Sequence, residues 1–220
     1  MAKISDRRDP LTGWQKKGEF DNALDSLVEL SRGTTPVSLA LIDIDSFMAV
    51  NEKHGHVTGD KVISSISVVV EKELKDEGKQ MFRIGGDELA VILPNVEKET
   101  TFLMLEQVRK DVSEIKDPQI AGSFPTVSIG IATYPDDGST RQEIVRKADD
   151  ALLRAKNTGR NRLALAREEK MVPKTSHFTQ GQLDRLTTLS EKEGVGEAEL
   201  LREALDDMLK KYQWSKPIEK

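Results

Sequence analysis

The sequence predicts an α+β fold: an antiparallel-rich sheet with helices, followed by a small helical module. Three observations predict it. Apolar segments alternate between the strand and helix periods in the order strand, helix, hairpin, helix, strand, helix, strand. A hairpin in the middle of that order suggests layered α+β architecture with helices on one face, not a doubly wound sheet. At Arg167-Glu168-Glu169-Lys170 the composition shifts to a charged linker, and two further helical patterns follow. The expected division is a domain over 1–166, a linker over 167–173, a module over 174–213 and a tail over 214–220.

The elements follow in order. Asp9-Pro10-Leu11-Thr12-Gly13 is a turn-like opening. Phe20, Leu24, Leu27, Val28 and Leu30 fall at helical spacing, and Gly33 and Pro36 end that helix. Val37 to Ile42 reads as a buried strand ending in Asp43-Ile44-Asp45. Gly55 and Gly59 punctuate a polar loop, with Asp60 at the start of a helix whose stripe is Val62, Ile63, Ile66, Val69, Val70 and Leu74. Met81 to Ile84 and Leu89 to Leu93 read as strands joined by Gly85-Gly86, a hairpin signal because primed turns need positive φ. Helices are expected over 97–115 and 141–157, and strands over 126–134 and 162–166.

Composition bounds the function. The chain has 220 residues, is 37% hydrophobic and 32% charged, and carries a net charge of -5. That balance argues against a strongly basic nucleic-acid footprint over the whole molecule. Without cysteine, disulfides and thiolate metal sites are excluded. No apolar run approaches the roughly 20 residues that a membrane helix needs, and the opening residues are polar with no signal-peptide core. The expectation is a cytoplasmic protein without a membrane partner.

Three constellations carry chemistry. Asp43 ends a buried strand, and Asp87 and Glu88 restart another at a hairpin tip. If the two strands pair, Asp87 falls near Asp43. Two carboxylates plus main-chain carbonyls and phosphates make a typical magnesium site; the plainer reading of Asp43 is a loop cap. Asp45 is expected on the opposite face from Asp43. Lys156 lies in the last turn of a helix and Arg160 follows Gly159, which suits either helix capping or two cations aimed at triphosphate oxygens. Asn51 and Asp60 flank a glycine-containing loop and could read a purine edge, since guanine's N1 and N2 donors need an acceptor such as Asp60 and its O6 or N3 acceptors suit the Asn51 amide. His54 and His56 read as loop-structuring residues.

Together these segments resemble a known family. Asp43-Ile44-Asp45-Ser46-Phe47, Asn51, Gly55-His56, Gly59-Asp60, Gly85-Gly86-Asp87-Glu88-Leu89, Ser128-Ile129-Gly130-Ile131-Ala132 and Ala148-Asp149 through Gly159-Arg160-Asn161 look like the GGDEF domain of diguanylate cyclases. The opening at Asp9 resembles that domain's usual start. The resemblance runs from about residue 9 to 166. It implies a nucleotide-cyclase palm of ferredoxin-like type, Mg2+ or Mn2+, and condensation of two GTP into cyclic di-GMP across a dimer. Carried over by position, Asp43, the Ile44 carbonyl and Asp87 would hold metal, and Glu88 would support the substrate. Asn51 and Asp60 would read guanine. Lys156, Arg160 and the main-chain amides near Ser46 and Phe47 would hold phosphates.

The sequence departs from the family at several points. Met48 stands where the family usually has Lys, and Lys16-Lys17 where it has Asn-Arg. Leu89 replaces the final Phe. The product-inhibition motif, Arg-x-x-Asp, should fall at Asp76-Glu77-Gly78-Lys79, so that inhibitory site is expected to be absent. Asp60 favours guanine over adenine.

Thr175 to Leu186, Gly194 and Glu199 to Leu205 resemble the ribbon-helix-helix family, an intertwined dimer whose paired strands often enter the DNA major groove. A short strand near 174–179 and helices over 181–193 and 197–212 are expected. The shared core would be Phe178, Leu183, Leu186, Leu189, Leu200, Leu201, Ala204, Leu205 and Leu209. Residues 167–220 hold ten Lys or Arg against eleven Asp or Glu, and Glu197 sits where a phosphate contact is usual. Homodimerisation is therefore preferred to DNA binding. The rival to an active cyclase is a slow or inactive nucleotide-responsive regulator linked to DNA.

Overall fold

The computed structural model describes residues 7–75, 78–116, 125–167, 175–193 and 195–211. The chain divides into two compact units, Met1–Glu169 and Lys170–Lys220. The expected linker apart from Arg167, the tail and half of the Asp76 to Lys79 segment lie outside the described residues.

The first unit runs β1 (Gln15–Lys16), α1 (Lys17–Ser31), β2 (Val37–Ile44), α2 (Phe47–His54), α3 (His56–Glu73), β3 (Gln80–Arg83), β4 (Glu88–Pro94), α4 (Lys98–Ser113), β5 (Val127–Tyr134), α5 (Arg141–Asn157) and β6 (Leu163–Leu165). The strands form one sheet in the order β1-β3-β4-β2-β5-β6. The β2–β4, β2–β5 and β3–β4 pairs are antiparallel, and the edge pairs β1–β3 and β5–β6 are parallel.

Helices cover both faces, not one. The reason lies in β2, which is buried at all eight positions. A strand apolar on both sides needs cover on both. Ala40, Ile42 and Ile44 pack under α3 and α4 through Val62, Ile66, Leu105 and Val108. Val37, Leu39 and Leu41 pack against α1 and α5 through Phe20, Leu24, Ile144 and Leu152. Phe20 meets Phe82 edge-on, with ring centroids 5.4 Å apart.

Helix α5 lies so close to the sheet that a Cβ on Gly130 of β5 would collide with the backbone of Ala148 and Leu152. This is why the Ser128 to Ala132 strand carries glycine at its centre. Gly130→Ala should destabilise the domain by about 1–3 kcal/mol, read as a lower denaturation midpoint. Thr140 caps α5 by accepting from the Glu143 amide at 3.2 Å.

Two local expectations change. The segment expected as a polar loop around Gly55 is two helices, α2 and α3, joined at Gly55 with φ 81°. Asp60 therefore sits inside α3, not at its start. Gly85 and Gly86 have no left-handed φ, so the hairpin is not a primed turn. It is a longer tip in which the Ile84 and Gly85 amides both donate to the Glu88 carbonyl, at 3.0 and 3.2 Å.

The second unit has α6 (Gln180–Glu193) and α7 (Glu197–Lys211). Residues 175–179 form no strand. A strand needs a ladder partner, and one copy of this module offers none among the described residues. The apolar side chains lack cover as well: Phe178 is 45% exposed, Leu189 43%, Leu205 51% and Met208 47%.

Candidate active site

The β2–β4 register sets Asp43 opposite Glu88. One residue further on, the Ile44 amide donates to the Asp87 carbonyl at 3.4 Å. The expected meeting of the two acidic strand ends is thus a consequence of antiparallel pairing. Asp43 is 8% exposed, while Asp87 is half-buried and Glu88 exposed. Lys156, from the last turn of α5, places its Nζ 2.7 Å from Asp43 Oδ2.

Burial raises the Asp43 carboxyl above its ordinary range; Lys156 pulls it back, and the Asp87 and Asp45 charges push it up again. A carboxyl raised on folding favours the fold at low pH and loses that contribution as pH rises through its folded value. Ionised Asp43 is therefore a cost at neutral pH. In chelator, Asp43→Asn should melt higher than the unmodified chain at pH 7, on the order of 2 °C. The gap should narrow as the pH is lowered.

A network that the sequence reading missed shapes the hairpin tip. The Arg83 guanidinium donates to the Gly86 carbonyl at 2.6 and 3.1 Å. It also pairs with Asp9 at 3.0 Å. Asp9 in turn accepts from the Leu11 and Thr12 amides and the Thr12 hydroxyl. The opening turn therefore braces the acidic tip. An arginine two residues before Gly85-Gly86 is the available signal. Gly85 has its own role, since a Cβ there would lie 2.5 Å from Glu88 Oε2.

At the junction of the two helices, Asn51 of α2 packs against Gly59 of α3, and the exposed Asp60 follows directly in α3. Asn51 Oδ1 is buried with no hydrogen-bond partner among the described residues. Gly59 permits that packing, because a Cβ there would strike the Asn51 amide. A buried unmet acceptor costs roughly 1–3 kcal/mol, and a donor entering the site would relieve it. Asp60 lines a cavity of about 360 Å³ together with Leu11, Val57, Lys61, Ser64 and Ser65. Ser46, with φ 57°, starts α2 directly after the acidic end of β2. Phe47 packs on the core beneath it.

Arg160 is exposed and forms no ion pair among the described residues. It lines a second cavity of about 360 Å³ with Ile44, Ser46, Lys53 and Thr126. Met48 is 73% exposed and reaches no core. His54 also lines the second cavity, and its Nε2 is buried without a partner among the described residues. Asp45 does not face away from Asp43. Alternation places residues two apart on the same side, and its carboxylate binds Thr126, Ser128 and Asn161.

The residues near Asp43 suit a hard divalent cation. Two carboxylates and the Ile44 carbonyl are oxygen donors, and magnesium typically completes such a set with water and phosphates. No group of three or more His, Cys, Asp or Glu among the described residues could hold a metal without such help.

A mixed sheet with an acidic hairpin tip beside an acidic strand end is a nucleotide-cyclase palm. The chain belongs to the diguanylate cyclase GGDEF-domain family, whose model matches residues 7–162. A ribbon-helix-helix domain model matches residues 170–213. The chain is 32% identical over 168 residues to probable diguanylate cyclase DgcT of Escherichia coli K12, covering 75% of this chain and 37% of that one. It is 38% identical over 131 residues to diguanylate cyclase DgcM of the same organism, covering 59% and 30%. The chain thus spans well under half the length of these curated relatives. Among solved structures, the GGDEF domain of DgcB from Caulobacter crescentus in complex with c-di-GMP superposes with a TM-score of 0.68 at 31% identity. That match covers 76% of this chain and 97% of the other. No helix among the described residues is long and apolar enough to cross a membrane.

Proposed function

We propose that this chain is a diguanylate cyclase of the cytoplasm, with a cyclase domain over 1–166 and a pairing module over 174–213. The observation that carries the reading is the meeting of Asp43 with Asp87 through the Ile44–Asp87 backbone bond. Two subunits each bind one GTP and face each other. The 3′-oxygen of each GTP attacks the α-phosphorus of the other, loses its proton, and expels pyrophosphate. Two GTP yield one cyclic di-GMP and two pyrophosphates.

Asp43, the Ile44 carbonyl and Asp87 would hold Mg2+ or Mn2+. Such an ion, when bound, lowers the pKa of a ribose hydroxyl and spreads charge on the α-phosphate. The chain's own residues do the positioning. Asn51 and Asp60 take the guanine edge, with the orphan Asn51 Oδ1 accepting from the base. Glu88 supports the substrate beside the tip. The amides at Ser46 and Phe47, at the positive end of α2, together with Lys156 and Arg160, hold phosphates. Lys156 already neutralises Asp43, so it is placed to pass between carboxylate and phosphate.

Asn51→Ala should raise the KM for GTP about tenfold, with kcat changed far less. A lost hydrogen bond of this kind contributes roughly 1–1.5 kcal/mol. The residue types at Asp76 to Lys79 support the absence of product inhibition. Pyrophosphate release tests the function: it should require GTP and a divalent metal, and ATP should not substitute. Release from ATP at the same rate, or none from GTP, would overturn it. The second reading is a slow or inactive nucleotide-responsive regulator, which the exposed Met48 favours by removing one cation from the phosphate side. DNA contact through the module belongs to that reading, and a salt-dependent gel shift tests it.

A further inference from the structure

The loop after α5 holds three consecutive residues in left-handed conformation: Gly159 at φ 122°, Arg160 at 59° and Asn161 at 45°. Two of them are not glycine. Such a run is sparsely populated and persists only where its surroundings hold it. Here they do, from both sides of Asn161. Its amide donates to Asp45 Oδ2 at 2.9 Å. Its side-chain oxygen accepts from Arg109 Nη1 at 2.8 Å. Both anchors are themselves fixed. Asp45 also accepts from the Thr126 hydroxyl at 2.8 Å and the Ser128 hydroxyl at 2.7 Å. Arg109 is held by both carboxylate oxygens of Glu106, at 2.7 and 2.8 Å.

Between these anchors and the end of α5 sits Arg160. Its amide donates to the Ala155 carbonyl at 3.1 Å. Its carbonyl accepts from Arg162 Nε at 3.2 Å. The backbone of Arg160 is thus tied down through both its amide and its carbonyl, and the residue lines the cavity that Ser46 also lines. A rigid backbone under a cation that has no ion-pair partner among the described residues is what precise placement of a phosphate ligand requires.

We infer that Asp45 is a positioning residue, which acts through the Asn161 amide to hold Arg160 over the substrate's phosphates. This rests on the cyclase reading above. The Asp45 carboxylate is already committed to three donors, the Thr126 and Ser128 hydroxyls and the Asn161 amide. It serves the site by fixing the loop that carries the cation.

The test is a cycle of variants in the full chain, with Mg2+–GTP binding read by calorimetry and turnover read separately. Arg160→Ala and Asp45→Ala should each weaken GTP binding about tenfold, and the double variant should be no weaker than Arg160→Ala alone. Asp45→Asn, which keeps an oxygen for the Asn161 amide but drops the charge, should restore most of the affinity. Asn161→Gly, which tolerates the left-handed backbone but releases Arg109, should give a smaller loss that also vanishes without Arg160; it serves if Asp45→Ala fails to fold. Additive losses would overturn the inference, as would Asp45→Asn binding as weakly as Asp45→Ala, which would mean that the charge acts on Asp43 directly. Binding unaffected by Asp45→Ala would overturn this inference alone. No GTP binding by the unmodified chain would overturn the cyclase reading and this inference with it.

Discussion

Asp87→Asn should leave the fold intact and cut turnover about 10³-fold, equal to roughly 4 kcal/mol of transition-state stabilisation. The side chain is half-buried at a hairpin tip whose backbone is held independently by Arg83 and the Glu88 carbonyl. Replacing one carboxylate oxygen by an amide therefore changes the chemistry far more than the packing. Melting temperature should move little. GTP affinity should fall modestly, because Asn51, Asp60 and Arg160 are untouched. The same substitution at Asp43 is less clean, since it also relieves a buried charge and frees Lys156. The two variants together separate loss of the oxygen donors from the change in stability.

Removing residues 167–220 should give a monomer whose turnover at low protein concentration falls about 10²-fold or more. Linking two half-sites raises their effective concentration to the millimolar range, and its loss makes the reaction second order in protein. The structural ground is the second unit. Leu183, Leu189, Leu201, Leu205 and Leu209 are 39%, 43%, 39%, 51% and 42% exposed in a single copy. A module of two helices can hardly bury a core alone. The first unit has its own two-sided core and should fold without it. A milder variant, Leu205→Asp, should act in the same direction. Fusing an unrelated dimerising coiled coil in place of 167–220 should restore turnover if pairing is what the module supplies. Unchanged mass and turnover after the deletion would contradict this part of the account.

Much of the fold was legible because its signals are local. Helix α5 was bounded at Arg141 and Asn157 by its periodic stripe and the following glycine. The pairing of Asp43 with the hairpin tip follows from one apolar strand that ends in acidic residues and another that begins with them. What was not legible depends on tertiary context. Helix α2 is short, and its apolar residues make no full stripe, so Gly55 suggested a loop. Helices on the second face were missed although Val37 to Ile44 is nearly all apolar, which is itself the sign of a strand covered twice. The Asp9–Arg83 and Asp45–Asn161 pairs join residues 74 and 116 positions apart. No local pattern encodes such contacts. The left-handed run at Arg160 was hidden because Gly159 alone accounted for the turn.

The paired acidic strand ends are proposed to serve condensation of two GTP. Incubating the full chain with GTP and magnesium and identifying the products by chromatography and mass tests it most directly. The expected products are cyclic di-GMP and two pyrophosphates for each molecule formed, both abolished by Asp87→Asn. GTP returned intact, or converted only to GDP or GMP, would contradict it.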